Sequence, residues 1–325
     1  GLIGHKRAKS LVGVGHTLVA VADAIPERSK QLAATYPGCS AAADWHDAVT
    51  RSDVDAVVVA TTNDSLSPVT LAAVKAGKHV LAEKPAARSA EELRPVLAAA
   101  KAAGVVVRVG FNHRFHPALQ RARQLVDAKA IGPLMFVRGR YGHGGRLGYD
   151  REWRADPACA GGGELLDQGV HLIDLTRWFL GDISEVIGHA GTFFWDMPVE
   201  DNGFMFLRTP GGQVGWLHAS CTEWKNLFCL EIYGRTGKLQ IDGLGGSYGI
   251  ERLAYYRMLP QMGPPETTIW EYPGEDTSWS AEFRDFAAEV VGSPGQGATL
   301  EDAVAALDIV SAVYSQCAVG WRRAA

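Results

Sequence analysis

Cysteine is scarce in this chain and unpatterned. The five residues, Cys39, Cys159, Cys221, Cys229 and Cys317, include no C-x-x-C pair. Their odd number fits free thiols in a reducing compartment better than a disulfide framework. No two histidines stand at H-x-x-x-H spacing, and His113 and His143 lack a ligand pattern around them, so no metal is expected. Long apolar runs are also missing. The stretch 56–60 is far short of the roughly 18–20 residues a membrane span needs. No signal peptide is visible, which leaves a cytoplasmic protein without a membrane partner as the expectation. Charge of one sign never clusters: 32 Lys and Arg oppose 36 Asp and Glu, for a net charge of −4. A nucleic-acid surface needs clustered cations, and the scattered tryptophans offer no stacking platform, so a nucleic-acid partner is excluded. There is no internal repeat and no low-complexity tract. The chain opens at Gly1 without an initiator Met, from which a few further N-terminal residues in the native gene are expected.

What remains is an ordinary globular composition, 47% hydrophobic and 21% charged over 325 residues. At roughly 100–200 residues per domain, two domains are expected. The first third alternates short β-branched runs, at 17–22, 56–60, 79–82 and 105–110, with alanine-rich helical stretches. Pro26 fits the first position of a helix that ends before Pro37-Gly38. Ser67-Pro68 opens a second helix, stopped by Gly77. Ser89 and Glu92 form an S-x-x-E capping box for a third, ended by Gly104. This repetition is βαβ and predicts a parallel, doubly wound sheet.

After about Ala130 the pattern changes to longer alternating runs: 134–141, 185–195, 203–208, 213–221, 228–233, 238–241 and 251–257. Turn residues such as Thr209-Pro210-Gly211-Gly212 link some of them. These read as an antiparallel sheet. One helix is expected over 164–180, stopped by Gly181, and another over 300–322, while 292–297 reads as a loop. The fold class is therefore α/β: an N-terminal Rossmann domain over 1–115, and a C-terminal α/β domain over 116–325 with an open, mostly antiparallel sheet. The C-terminal helix is expected to pack back on the Rossmann domain.

Gly1-Leu2-Ile3-Gly4 opens the chain and a helical stretch from His5 to Leu11 follows. Asp23 lies 23 − 4 = 19 residues beyond Gly4. In a dinucleotide fold an acid about 20 residues after the glycine turn holds the ribose hydroxyls, and the pyrophosphate rests on the helix N-terminus. Gly1, Leu2, Ile3, Gly4 and Asp23 are therefore candidate cofactor residues. A carboxylate accepts from a ribose diol but repels a 2′-phosphate, so NAD is favoured, with NADP as the alternative through nearby Arg28.

Three blocks carry a family resemblance. The first is Ala76-Gly77-Lys78-His79-Val80-Leu81-Ala82-Glu83-Lys84-Pro85. The second is Gly110-Phe111-Asn112-His113-Arg114-Phe115. The third runs Gly161-Gly162-Gly163-Glu164-Leu165-Leu166-Asp167-Gln168-Gly169-Val170-His171-Leu172-Ile173-Asp174. With these the chain resembles the Gfo/Idh/MocA oxidoreductases over nearly its whole length. That resemblance implies a Rossmann domain joined to an open-sheet domain, a homodimer or homotetramer built through that sheet, and a cis Lys84–Pro85 bond. The sequence departs from the family in lacking its first strand and first glycine. It also has Thr61-Thr62-Asn63 followed by Leu66 where many members carry Thr-Pro-Asn and then a His. Thr61, Asn63, Glu83 and Lys84 complete the expected cofactor set, Glu83 as a structural or cofactor-side contact. Residues 149–163 resemble members acting on sugars in surface-polysaccharide or nucleotide-sugar pathways.

Oxidising an alcohol moves a hydride to a nicotinamide and a proton to a base. Lys84 follows the carboxyl end of a parallel strand, where open α/β sheets bind ligands. Asp167 and His171 are spaced i, i+4, with Asp174 three residues on, so a regular helix would align them in one stripe. A His beside a carboxylate suits a general base. Lys84, His171 and Asp167 are accordingly the expected catalytic group, converging on one alcohol. Asn112, Trp153, Arg154 and Gln168, with Asp167 and His171, are the expected substrate contacts, and Asp174 is read as structural. Gly161–Gly163 reads either as a close backbone approach to ligand or as a plain loop. The substrate expected is a sugar, nucleotide sugar or cyclitol. Two other functions fit the residues: a redox-neutral glycosidase that uses NAD transiently, and a non-catalytic dinucleotide-binding sensor.

Overall fold

The computed structural model describes residues 1–317 and divides them into two compact units. The first contains Gly1–Asn112 and Trp279–Ala305; the second contains His113–Ser278 and the chain from Ala306 onward. The first unit is thus built from two stretches of sequence.

In the first unit the elements run α1 (Leu2–Gly13), β1 (Ala20–Val21), α2 (Pro26–Thr35), β2 (Ser40–Ala41), α3 (Trp45–Thr50), β3 (Ala56–Val59), α4 (Asn63–Lys75), β4 (His79–Glu83), α5 (Ala90–Ala103) and β5 (Val107–Gly110). β3, β4 and β5 form a parallel ladder, whereas β1 and β2 pair in a separate two-stranded parallel sheet. The near-continuous apolar run of β4 is buried from Val80 onward, as in a strand covered on both faces. Ser89 caps α5 by accepting from Glu92 N, and Gly104 ends that helix in the left-handed region. The Glu92 carboxylate returns to Arg88 N rather than to the cap residue itself. α4 departs from expectation. It opens at Asn63 behind Thr62, and Pro68 lies inside it. A proline at the sixth helical position removes one backbone donor, and the buried face Leu66, Val69, Ala73 and Val74 holds the helix together across that gap.

The return stretch supplies α9 (Ser278–Val290), whose residues from Trp279 belong to this unit, and β14 (Ala298–Thr299), which pairs antiparallel with β5. Phe283 and Phe286 of α9 pack with Leu11 of α1 and Leu81 of β4 in one buried cluster. Burying such side chains contributes roughly 1.5–3 kcal/mol each. Arg7 of α1 is also buried. It donates from Nε to Glu83 at 2.6 Å and from Nη1 to Glu282 at 2.5 Å, and its guanidinium lies 4.5 Å from the Trp279 ring centre. Gly110 makes room for it, since a Cβ there would stand 2.6 Å from Arg7 Nη2.

The second unit contains α6 (Pro117–Asp127), β6 (Leu134–Gly142), α7 (Pro157–Ala160), α8 (Val170–Leu180), β7 (Glu185–Gly191), β8 (Asn202–Arg208), β9 (Val214–Ser220), β10 (Leu227–Gly234), β11 (Gly237–Asp242), β12 (Glu251–Arg257) and β13 (Glu266–Tyr272). Its eight strands form one sheet in the order β13-β12-β11-β10-β6-β9-β8-β7, antiparallel except for the parallel β6–β9 pair. Alternation along β6, β8 and β9 sends Val137, Leu207 and Leu217 to a buried face. Leu172 of α8 packs on that face above Gly139, where an added Cβ would meet Leu172, Leu217 and Leu230. The opposite residues, Phe136, Phe204, Phe206 and Trp216, remain exposed. α10 (Leu300–Cys317) closes the described chain, crossing from the first unit into the second after Ala305. Residues 318–322, the end of the helix expected there, lie outside the described residues.

The helix expected over 164–180 runs unbroken over those residues, but its opening turn is wider than an α-helix. A π-type turn, Leu165–Gly169, precedes α8. The wider turn lies where Asp167 sits, one turn ahead of His171. Asp167 is partly exposed and His171 is buried.

Candidate active site

In the first unit the Gly1–Gly4 segment is not a separate turn ahead of a helix at His5. Gly1 is the N-cap of α1, and the first intrahelical bond runs from His5 N to Gly1 O at 3.2 Å. Leu2, Ile3 and Gly4 thus supply the helix's first amides, the groups a pyrophosphate would take. A Cβ on Gly4 would meet nothing within 4 Å. Asp23 follows β1; its Oδ1 accepts from Ile25 N at 2.9 Å and its Oδ2 lies 3.4 Å from the Gly1 amino nitrogen. Arg28 is exposed on the first turns of α2. Thr61 is exposed after β3, Asn63 is buried at the start of α4, and Leu66 is fully buried in the helix.

Lys84 stands directly after β4, half-buried, with a cis Lys84–Pro85 bond. The Ala86 N to Glu83 O bond of 3.0 Å closes the turn around it. Glu83 is held by buried Arg7, which gives it a structural task. Burial alone would lower the Arg7 guanidinium, but Glu282 and Glu83 outweigh that effect and raise it. Asn112, nearly fully buried, ends this unit. The donor set suits a dinucleotide: free helix amides for a diphosphate, a carboxylate after the second-unit-independent strand β1 for a diol, and an amine at the strand edge.

In the second unit Arg154 Nε donates to Asp167 Oδ2 at 3.0 Å, and the guanidinium lies 4.5 Å from the Trp153 ring centre. Burial would lower the Arg154 guanidinium; the Asp167 carboxylate and the Tyr149 oxygen reverse this and raise it. The His171 ring stacks on His113 at 3.8 Å and 22°. Tyr141 lies edge-on to both, at 6.0 Å from His171 and 5.1 Å from His113. Burial pushes the Tyr141 phenol well up, helped by Tyr248, Asp167 and Glu164, and burial likewise raises Tyr149. Both phenols therefore keep their protons at neutral pH. Gln168 and Trp153 are half-buried near these groups in sequence. Asp174 is bound by Arg114 through bonds of 2.9 and 2.6 Å, both residues buried, and its role is structural.

The second unit thus brings together Asp167, Arg154, His171, His113 and two buried tyrosines. Tyr141 escapes sequence reading because an inward tyrosine on an alternating strand looks like core, and Tyr149 and Tyr248 because they sit in irregular connections with no periodic pattern. Glu200 and Arg7 give no local signal either. Among the described residues no group of three or more His, Cys, Asp or Glu side chains is arranged for a metal ion.

Comparison with known proteins follows the same division. Residues 1–111 match the family described as oxidoreductase family, NAD-binding Rossmann fold, and residues 119–240 match the GFO/IDH/MocA C-terminal domain. The first unit is accordingly an NAD-binding Rossmann domain. The chain is 32% identical to levoglucosan dehydrogenase of Pseudarthrobacter phenanthrenivorans, over 60% of this chain and 50% of that protein. It is 28% identical to scyllo-inositol 2-dehydrogenase (NAD(+)) of Bacillus subtilis, over 78% and 72%. It is 33% identical to dTDP-3,4-didehydro-2,6-dideoxy-alpha-D-glucose 3-reductase of Streptomyces violaceoruber, over 69% and 64%. The matched part therefore spans about half to three-quarters of these relatives. A levoglucosan dehydrogenase structure, in complex with NADH and L-sorbose, superposes with a TM-score of 0.88 at 24% identity, covering 98% of this chain and 94% of that one. At that identity the superposition speaks for the fold.

Proposed function

Because this chain belongs to the Gfo/Idh/MocA family of oxidoreductases, we propose that it is a dehydrogenase moving a hydride between a secondary hydroxyl of a sugar, nucleotide sugar or cyclitol and NAD. The observation that carries this reading is the position of Lys84 at the carboxyl end of β4, the edge where open α/β sheets bind ligands. The relatives named above are, by name, dehydrogenases of levoglucosan and of an inositol and a reductase of a dTDP-linked didehydro sugar, all oxidoreductases of sugar or cyclitol rings, and this supports the substrate class.

The reaction balances as alcohol plus NAD⁺ giving ketone, NADH and a proton. Bound nicotinamide supplies the hydride acceptor. The first amides of α1 hold the diphosphate, Asp23 accepts from the adenosine ribose hydroxyls, and Thr61 and Asn63 line the cofactor side. Lys84 donates a hydrogen bond to the reacting oxygen. His171 takes the hydroxyl proton, and Asp167 with Arg154 binds neighbouring substrate hydroxyls as paired acceptor and donor. Asn112, Trp153 and Gln168 are further substrate contacts in this scheme.

We assign a homodimer or homotetramer to the chain, assembled through the sheet face that exposes Phe136, Phe204, Phe206 and Trp216, since several exposed aromatics on one face mark an interaction surface. Five free cysteines support a cytoplasmic location, and among the described residues no helix is long and apolar enough to cross a membrane.

The decisive experiment follows nicotinamide absorbance while levoglucosan, inositols, hexoses and nucleotide sugars are offered with NAD⁺ and with NADP⁺. Reduction of NAD⁺ by one of them is expected. Folded, cofactor-binding protein that reduces neither nucleotide with any of them would sink the proposal, and bond cleavage without net reduction would replace it with glycosidase chemistry.

A further inference from the structure

Gly162 and Gly163 are explained by protein neighbours, and Gly161 by its left-handed φ of 83°. A Cβ on Gly162 would stand 2.1 Å from Tyr314 Oη, and one on Gly163 would stand 1.9 Å from Glu200 O. The chain is squeezed here because Glu200 captures three consecutive amides. Gly163 N donates to Oε2 at 2.9 Å, Glu164 N to the backbone oxygen at 3.0 Å, and Leu165 N to Oε1 at 3.1 Å. Tyr314 Oη donates to the same Oε1 at 2.7 Å. These amides are the N-terminal donors of the turn and of α8 behind it, which no intrahelical acceptor satisfies. A carboxylate at that end is also favoured by the helix dipole. Glu200 therefore caps this helical segment from 37 residues away, on the connection between β7 and β8.

We propose that Glu200, steadied by Tyr314, is a positioning residue that fixes the turn Leu165–Gly169 and so aims Asp167 at the substrate. The kinetic half of this inference rests on the dehydrogenase reading; the structural half does not. The π-type turn it anchors carries Asp167, whose Oδ2 is already committed to Arg154. Turns of this kind are uncommon and concentrate at functional sites. Burial pushes the Glu200 carboxyl up, opposed by Tyr314 and the captured amides. The clamp thus depends on its donors to remain charged. Misplacing a catalytic group by about 1 Å costs roughly 10²-fold in rate, so a small slack in this clamp is enough to be seen.

Glu200→Gln and Tyr314→Phe in the full chain test the idea. Gln keeps the volume but turns an NH₂ toward a backbone N–H. Hydrogen exchange read by mass spectrometry is expected to accelerate at least about tenfold over residues 163–169 in Glu200→Gln, while strands β6 and β9 stay protected. With a sugar that the wild type oxidises, kcat is expected to fall roughly 10²-fold with KM changed by less than about threefold, and NADH binding is expected to be unaltered. In Tyr314→Phe exchange over 163–169 is expected to accelerate about threefold and kcat to fall about tenfold. Tyr314→Phe removes a single hydroxyl and keeps the ring, so it decides alone if Glu200→Gln loosens the whole unit. Wild-type exchange rates over 163–169 in either folded variant would overturn the clamp. Full kcat in a variant whose turn has loosened would overturn its catalytic role. If the wild type oxidises no sugar, the dehydrogenase reading falls while the exchange data still decide the clamp.

Discussion

The imidazoles of His113 and His171 lie face to face, 3.8 Å apart and 22° from parallel, with the edge of Tyr141 toward both. His113 reaches this place from the short helical turn after β5, and His171 from the first turn of α8. One ring thus acts as a wall for the other. If His171 is the proton acceptor, His171→Ala lowers kcat by at least about 10²-fold, the low end of acid–base contributions. His113→Phe preserves a flat wall and is expected to keep turnover within about tenfold, whereas His113→Ala is expected to lose more. Steady-state rates of the three variants, each checked for folding by circular dichroism, settle the assignment; a fast His171→Ala enzyme would remove His171 from the reaction.

Lys84→Ala is expected to lower kcat by at least about 10²-fold with NAD affinity changed little. The measurement is turnover alongside NADH titration. Loss of NADH binding with normal turnover at saturating nucleotide would make Lys84 a cofactor anchor instead.

Asp23 governs nucleotide choice in this reading. Replacing it with Ala removes a charge-assisted hydrogen bond worth roughly 1.5–3 kcal/mol and the repulsion of a 2′-phosphate. The ratio of kcat/KM for NAD⁺ over NADP⁺ is therefore expected to fall by about tenfold or more. An unchanged ratio would place discrimination elsewhere, with exposed Arg28 the first residue to test.

Arg7 is a test of stability rather than of chemistry. It is buried between Glu83 and Glu282, and removing one member of a buried ion cluster typically costs about 3–5 kcal/mol. Arg7→Ala should move the first unfolding transition in urea to markedly lower concentration. A transition shifted by less than about 1 kcal/mol would mean that water replaces the guanidinium.

Glu231 supplies a pH dependence. Burial would raise its carboxyl, but Arg138, Lys238 and Tyr233 hold it down at about 2. The bonds measure 2.5 Å to Arg138 Nε, 2.5 Å to Lys238 Nζ and 3.0 Å to the Tyr233 hydroxyl. A carboxyl lowered on folding stabilises above its unfolded value, about 4.3, and loses that contribution as pH falls through about 2. Wild type should therefore melt higher than Glu231→Gln at pH 6, and the gap should narrow steadily below about pH 4. A gap independent of pH would assign the difference to shape alone.

Much of this organisation is legible in the sequence, because it is written in local signals. The Ser89–Glu92 cap, Gly104 as a helix stop and the apolar run into Lys84 are each decided by residues within one turn of each other. What escapes depends on partners far along the chain. α9 carries Trp279, Phe283 and Phe286 at helical spacing, yet nothing nearby says that they meet Leu11 and Leu81. The π-type turn that opens the 164–180 helix is likewise out of reach of local signals, since the carboxylate accepting from Gly163 N and Leu165 N is that of Glu200. α4 began earlier than expected because Ser67-Pro68 looks like a helix opening, while Thr62 and a buried face override it. β13 carries no sequence signal, because its residues face solvent along most of its length and show no apolar period.

The first unit's dependence on Trp279–Ala305 has a consequence for how this protein comes into being. On the ribosome, Leu11 and Leu81 emerge long before Phe283 and Phe286 exist to cover them. A nascent chain that ends ahead of Trp279 therefore exposes an unfinished nucleotide-binding core, and no single cut in the sequence releases that unit whole.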